Sequence, residues 1–296
     1  MQVIQTRGLT KTYNGVHALD HLDLAVQPGE VLGFLGPNGA GKTTTIRLLL
    51  GLIRASSGTA TIFGMDSWKH KTAVHKRLAY VPGEANLWPN LTGAETLRFL
   101  ANIHGGVDEK YQKKLIKEFK FEPHKKVRAY SKGNKQKINL IAGLSSRAEL
   151  LVLDEPTSGL DPLMEQAFRD AIFEAKKRGQ TVFLSSHILE EVEALCDRIA
   201  VLSKGKLVEL GTLKELRHLS SVSVEATFAN KPPNVKMIKG VSNVEVTGNT
   251  LRCQVRGDIS TLLNVISRAK PLTLLSSEPS LEELFLSLYG EKERRR

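Results

Sequence analysis

Residues Gly36, Pro37, Asn38, Gly39, Ala40, Gly41, Lys42 and Thr43 fit the pattern G-x-x-x-x-G-K-[ST]. In such a stretch small residues let backbone N–H groups close around phosphate oxygens, the lysine reaches the outer phosphates, and the threonine presents a hydroxyl to Mg²⁺. Taken alone, the pattern also suits a glycine-rich turn. The argument for chemistry comes from residues 150–155, where four apolar residues run into Asp154 and Glu155. A strand tip aims successive side chains in different directions, so one carboxylate can hold a metal's water while its neighbour polarises an attacking water. Two acids behind such a run and ahead of Pro156 would otherwise sit unpaired at a buried strand end. Together the two stretches describe a site for a nucleoside triphosphate.

The elements that must position these groups are legible around them. Residues 31–35 suit a buried strand, and Ile46, Leu49, Leu50 and Ile53 recur at helical spacing after Lys42. The loop therefore joins a strand to a helix N-terminus, where free amides and the helix dipole favour a polyanion. Residues 130–137 precede Ile138, Leu140, Ile141 and Leu144, again at helical spacing. There Ser131 is a natural N-cap and Gly133 lets the backbone approach a ligand, although an ordinary capped helix has the same features. Ser158 to Asp161 follow the acids, and an apolar run at 181–184 ends in Ser185, Ser186 and His187. A histidine at a strand end is often a satisfied core residue. Here strands and helices alternate, and such sheets bind ligands at the carboxyl ends of their strands, which turns His187 toward the phosphates.

With 296 residues and 41% hydrophobic content, the chain can bury one sizeable core and a smaller one. Two domains are expected, at 1–215 and 216–296. No run approaches the roughly 18 apolar residues of a membrane span. The first seven residues lack the character of a signal peptide, so a cytosolic location is expected. Cys196 and Cys253 have no metal-ligand spacing and read as reduced thiols. Of the net charge of +11, residues 108–137 supply a large share, with eleven Lys and Arg against four Asp and Glu. Nucleic acid, an anionic lipid surface, an acidic protein partner or plain solvation would each account for it. Tyr111, Leu115 and Phe119 recur every four residues, which predicts an amphipathic helix with a lysine-rich outer face. Aromatic residues do not interleave with the basic ones, so a base-stacking platform is poorly supported.

Past residue 202 a turn about Gly205 predicts a hairpin that closes the first domain, with a short helical connection at 213–219. Residues 222–228 alternate, Gly248 and Asn249 predict a second hairpin, and Asp258 is placed to cap a helix bearing Ile259, Leu262, Leu263 and Ile266. Residues 272–275 read as a strand. Ser280 and Glu283 form a capping box for a helix with Leu281, Leu284, Phe285 and Leu288, ahead of a charged tail at 291–296. The predicted second domain is α+β and has no catalytic constellation.

The order and spacing of these motifs resemble the ATP-binding cassette family, specifically the ATPase subunit of ABC transporters, from about residue 2 to residue 212. The resemblance implies an α/β P-loop NTPase cassette: a RecA-like parallel sheet core with an antiparallel β subdomain and a helical subdomain at about 85–148. It implies ATP held by the phosphate loop and Thr44, with Tyr13 stacking on adenine and Mg²⁺ held at Thr43 and Asp154. Glu155 would polarise the attacking water and His187 would contact the γ-phosphate. It further implies a head-to-tail dimer, of two copies or of this chain and a paralogue. The signature residues Ser131, Lys132, Gly133 and Asn134 of one copy would then face the ATP of the other, and Asp161 would couple the two sites. A separate transmembrane permease is implied, which holds an otherwise soluble ATPase at the cytoplasmic face of the membrane. The C-terminal extension resembles that of exporter ATPases of the drug and antibiotic resistance branch.

Two positions depart from the family pattern. Gly83 and Glu84 stand where a glutamine usually touches Mg²⁺ and senses the permease, so either Glu84 substitutes or the metal shell lacks a protein ligand there. Lys132 and Asn134 replace the usual glycine and glutamine of the signature. The rival reading is a soluble ABC ATPase acting on the ribosome or nucleic acid. Such relatives carry tandem cassettes or a long coiled-coil insertion, and neither is present, so no nucleic-acid partner is expected.

Overall fold

Short apolar runs with side chains buried on both faces build the parallel sheet that carries the site. The computed structural model describes residues 2–84, 86–103, 106–218, 222–255 and 257–277. It divides into two units, Met1–Leu210 and Gly211–Arg296. The first opens with strands β1 (Ile4–Tyr13), β2 (Val16–Val26) and β3 (Val31–Leu35), then helix α1 (Lys42–Leu49). Next come β4 (Ser57–Ile62), β5 (Met65–Asp66), α2 (Lys71–His75) and β6 (Leu78–Val81), followed by α3 (Gly93–Ile103), α4 (Glu109–Glu118) and α5 (Lys132–Leu144). The remainder is β7 (Leu150–Asp154), α6 (Pro162–Lys177), β8 (Thr181–Ser186), α7 (Leu189–Leu195), β9 (Arg198–Ser203) and β10 (Lys206–Gly211).

Six strands form one sheet in the order β10-β9-β3-β8-β7-β6, and β1, β2, β4 and β5 form a separate antiparallel sheet. The register pairs Leu35 with Ser186 and Asp154 with Ser185. That alignment brings the ends of β3, β7 and β8 level, so the loop at 36–41, Glu155 and His187 leave the sheet side by side. Leu151 and Leu153 share a core with Ile138 and Ile141 of α5 and Phe168 and Ile172 of α6. Leu150, Val152, Phe34 and Phe183 share the other with Ile46 and Leu49 of α1 and with β1 and β2. The strand-and-helix reading of these segments holds.

One local reading needs correction. The apolar spacing after Lys42 runs to Ile53, but α1 stops at Leu49. Gly51, at φ 62°, closes a Schellman turn in which Leu52 N–H donates to the Arg47 carbonyl at 2.9 Å and Gly51 N–H to Leu48 at 3.0 Å. The lysine-rich outer face of α4 is exposed as the spacing predicts, with Lys113, Lys114 and Lys117 all at the surface. Tyr111, Leu115 and Phe119 are buried, also as predicted, and Lys114 pairs with Glu118 and with Glu174 of α6. Lys137 is buried too, which pulls its ammonium pKa down.

The second unit contains α8 (Leu213–His218), β11 (Val222–Phe228), β12 (Val241–Thr247), β13 (Thr250–Val255), α9 (Ser260–Arg268) and β14 (Pro271–Ser277). Its antiparallel sheet runs β12-β13-β11-β14 over a core that includes Val224, Phe228, Leu251, Leu262 and Ile266. Thr247 pairs with Thr250 about the predicted turn. Asp258 lies one residue before the helix cap, which is Ile259, and accepts Ser260 N–H at 2.9 Å. The capping box at 280–283, its helix and the tail at 291–296 lie outside the described residues. Both cysteines are free thiols.

Candidate active site

At the end of β3 the chain turns through the glycine-rich loop into α1. Ala40 N–H closes the loop on the Pro37 carbonyl at 3.1 Å, and Gly41, at φ 108°, occupies the N-cap without any side-chain cap. The first amides of α1 are thus left as donors beside the positive end of a helix, an arrangement suited to phosphate. Lys42 is buried along its stem, and its Nζ donates to the Gly36 carbonyl at 2.6 Å and to the Pro37 carbonyl at 3.3 Å. The same Nζ lies 3.3 Å from Glu155 Oε1.

Asp154 ends β7 in the interior, where its Oδ1 accepts the Ser185 hydroxyl at 2.6 Å. Burial pushes its carboxyl pKa up and the neighbouring Glu155 adds to this, while hydrogen bonds from Ser185 and Thr43 and the charge of Lys42 oppose it. Glu155 has φ 47°, a left-handed conformation that costs a side-chain-bearing residue energy and concentrates at functional sites. Its N–H is held by the Ser185 carbonyl at 3.0 Å, and its Oε1 lies 3.4 Å from His187 Nδ1. One carboxylate oxygen is therefore flanked by the loop lysine and the strand-end histidine.

The segment 131–134 begins α5. Ser131 is the N-cap, accepting Asn134 N–H at 3.3 Å, and Lys132 Nζ donates to Ser158 Oγ at 3.4 Å. A Cβ on Gly133 would lie 2.4 Å from the Gly159 carbonyl oxygen, so only glycine lets these two backbones approach. Asp161 caps α6, accepting Met164 N–H at 3.1 Å.

A cleft of about 580 Å³ brings together Asn38, Thr43, Gly83, Glu84, Lys132, Asp154, Glu155 and Ser158, with Arg47, Tyr80 and Asn86 joining them. Lys42 and His187 do not line it, nor do Ser131, Gly133, Asn134, Asp161 and Tyr13. Tyr13 ends β1 with its ring exposed and Lys11 Nζ 4.9 Å above it. Tyr80 was not read as a site residue; burial, then the Asp154 charge, pushes its phenol up to about 12. Gln136 was missed as well. Buried on α5, its Nε2 donates to the Pro82 and Pro156 carbonyls, each at 3.1 Å, tying the signature helix to the ends of β6 and β7. Its partners are backbone carbonyls of two other segments, which the spacing within α5 does not reveal.

The ABC transporter family pattern matches residues 19–158. The chain is 35% identical to the bacitracin transport ATP-binding protein BcrA of Bacillus licheniformis, over 97% of each. It is 32% identical to the linearmycin resistance ATP-binding protein LnrL of Bacillus subtilis strain 168, over 97% of this chain and 98% of that one. A solved structure described as the ATP binding subunit of an ABC transporter matches with a TM-score of 0.68 at 31% identity, covering 73% of this chain and 92% of the other. The chain belongs to the ATP-binding subunits of ABC transporters, nucleotide-hydrolysing proteins of α/β fold. These relatives favour the transporter reading over the rival one on ribosomes or nucleic acid.

Proposed function

We propose that the chain binds MgATP at residues 36–44, closes head to tail on a second copy, and drives a separate permease that exports an antibiotic or similar amphipathic compound. The observation that carries this reading is the meeting of Lys42 and His187 on Glu155, beside Asp154 and Thr43. Lys42 would hold the outer phosphates from within the loop. Glu155 would accept hydrogen bonding from the attacking water, and His187 would stand against the γ-phosphate. Asp154 and Thr43 offer an oxygen-only donor set in contact with each other, which fits Mg²⁺. When bound, Mg²⁺ supplies charge neutralisation on the phosphates. Glu84 shares the cleft with this pair, and we assign it the metal-facing place of the missing glutamine. Glu84→Ala should then raise the Mg²⁺ concentration needed for hydrolysis; an unchanged requirement would remove Glu84 from the site.

Ser131, Gly133 and Asn134 sit at a helix start, Ser131 as its N-cap, and would serve the nucleotide of a second copy. Tyr13, exposed at the rim of β1, would be covered by adenine. Among the described residues no helix is long and apolar enough to cross a membrane. Leu52, Trp68 and Ile103 are exposed beside a groove of about 960 Å³, and the exposed Trp88 and Phe99 form an edge-to-face pair at 4.6 Å. Apolar surface of this kind suits a segment of the permease, which would hold the subunit at the cytoplasmic face. Export of an antibiotic rests on what BcrA and LnrL are named for. Co-expression with the permease tests the reading: the pair should move cargo with ATP and lose transport with Lys42→Ala, and transport surviving that variant would overturn it.

A further inference from the structure

Glu191, on α7, has no part in the chemistry above, yet at 3% exposure it is the most deeply buried carboxylate among the described residues. Its Oε2 accepts the Ser186 hydroxyl at 2.5 Å. Its Oε1 has no hydrogen-bond partner within the described residues, although the Thr157 hydroxyl comes close enough to lower the carboxyl's pKa against the upward push of burial. The charged and titratable groups facing it are Glu165 and Arg169 of α6 and Cys196 at the end of α7. Burying a carboxyl with one oxygen unmatched costs stability, and an apolar side chain would pack α7 without that cost.

The neighbours of this carboxyl give it a role. Ser186 immediately precedes His187, and its Oγ also accepts the N–H of Ile188 at 3.0 Å. The hydroxyl held by Glu191 therefore fixes the backbone on both sides of the histidine. One buried carboxyl thus holds the turn that carries His187, whose Nδ1 meets Glu155 at 3.4 Å across the site. We infer that Glu191 is a positioning residue: through Ser186 it sets the separation of His187 from Glu155. The inference rests on the proposed roles of those two groups.

The test is steady-state ATP hydrolysis by the full chain. Glu191→Ala should lower kcat by about 10- to 100-fold, the cost of a displaced reacting group, with KM for ATP changed less than about 2-fold. Glu191→Gln keeps an acceptor for Ser186 and should recover activity to within about 3-fold of the native chain. Ser186→Ala should resemble Glu191→Ala, and the double variant should be no worse than the poorer single one, because both break the same link. Equal losses in the Gln and Ala variants, or losses that multiply in the double variant, would overturn the inference. Should Glu191→Ala fail to fold, the cycle of Ser186→Ala with Glu191→Gln decides: a loss confined to Ser186→Ala supports the link, and native turnover in Ser186→Ala refutes it. Glu155→Gln separates this inference from the reading beneath it. If that variant stops hydrolysis while Glu191→Ala does not slow it, only the positioning role fails; if Glu155→Gln hydrolyses normally, the reading of the site fails.

Discussion

The two ends of the parallel sheet treat charge in opposite ways. At the amino ends, acids and bases meet in ordinary pairs. Arg77 donates through Nε and Nη2 to Glu149 at 2.6 and 2.7 Å, Arg198 reaches Glu30 at 3.0 Å, and Lys176 pairs with Asp197. At the carboxyl ends, two adjacent acids share a partly buried corner, one of them on left-handed backbone. The basic groups there stand 3.3 and 3.4 Å from the same oxygen. Cavity size does not separate the ends, at about 530 Å³ for the amino side and about 580 Å³ for the carboxyl side. What differs is arrangement: at one end each acid meets its own base, and at the other two bases converge on one carboxylate beside a second acid.

The contrast can be broken by substitution at either end. The largest effect is expected from His187→Ala, which should cut turnover about 100-fold or more while ATP still binds; a loss below about 3-fold would take His187 out of the site. Gly133→Ala comes next. Its methyl would meet the Gly159 carbonyl at 2.4 Å, and relieving such overlap costs about 1–3 kcal/mol. Turnover should fall about 10-fold, and native turnover would contradict the close approach.

A smaller effect, of opposite sign, is expected for stability at Asp154. Its folded-state pKa is raised, chiefly by burial, so its favourable contribution is present below the unfolded-state pKa and lost as pH rises through the folded one. Near pH 7 the charged group is a net cost. Asp154→Asn without nucleotide should therefore melt a few degrees higher there, with the gain shrinking toward about pH 3; calorimetry showing a lower melting point at both pH values would contradict this. The smallest effect belongs to the amino end. Arg77 and Glu149 are both about half exposed, so Glu149→Ala should cost less than about 1 kcal/mol in denaturant unfolding and leave hydrolysis unchanged. A turnover defect there would mean that the two ends are coupled.

The parts legible in the sequence are those whose chemistry demands fixed residue types at fixed spacing. The loop from Gly36 to Thr43, the acids after four apolar residues, and Ser131 as a helix cap each depend on neighbours within one element. Glu191 and Gln136 escaped because their partners come from other segments: Ser186 for one, Pro82 and Pro156 for the other. Lys114 shows the same limit. On its own helix it belongs to a basic face, and only the packing of α6 supplies Glu174. The end of α1 was misread for a local reason, since the turn at Gly51 interrupts an apolar spacing that continues past it.

The account centres on a nucleotide held between two copies of the chain, with Glu155 needed to cleave it. Light scattering on Glu155→Gln with saturating ATP and Mg²⁺ tests this most directly. The account predicts the mass of a dimer with ATP and of a monomer without it. A Glu155→Gln chain that binds ATP yet stays monomeric would contradict it.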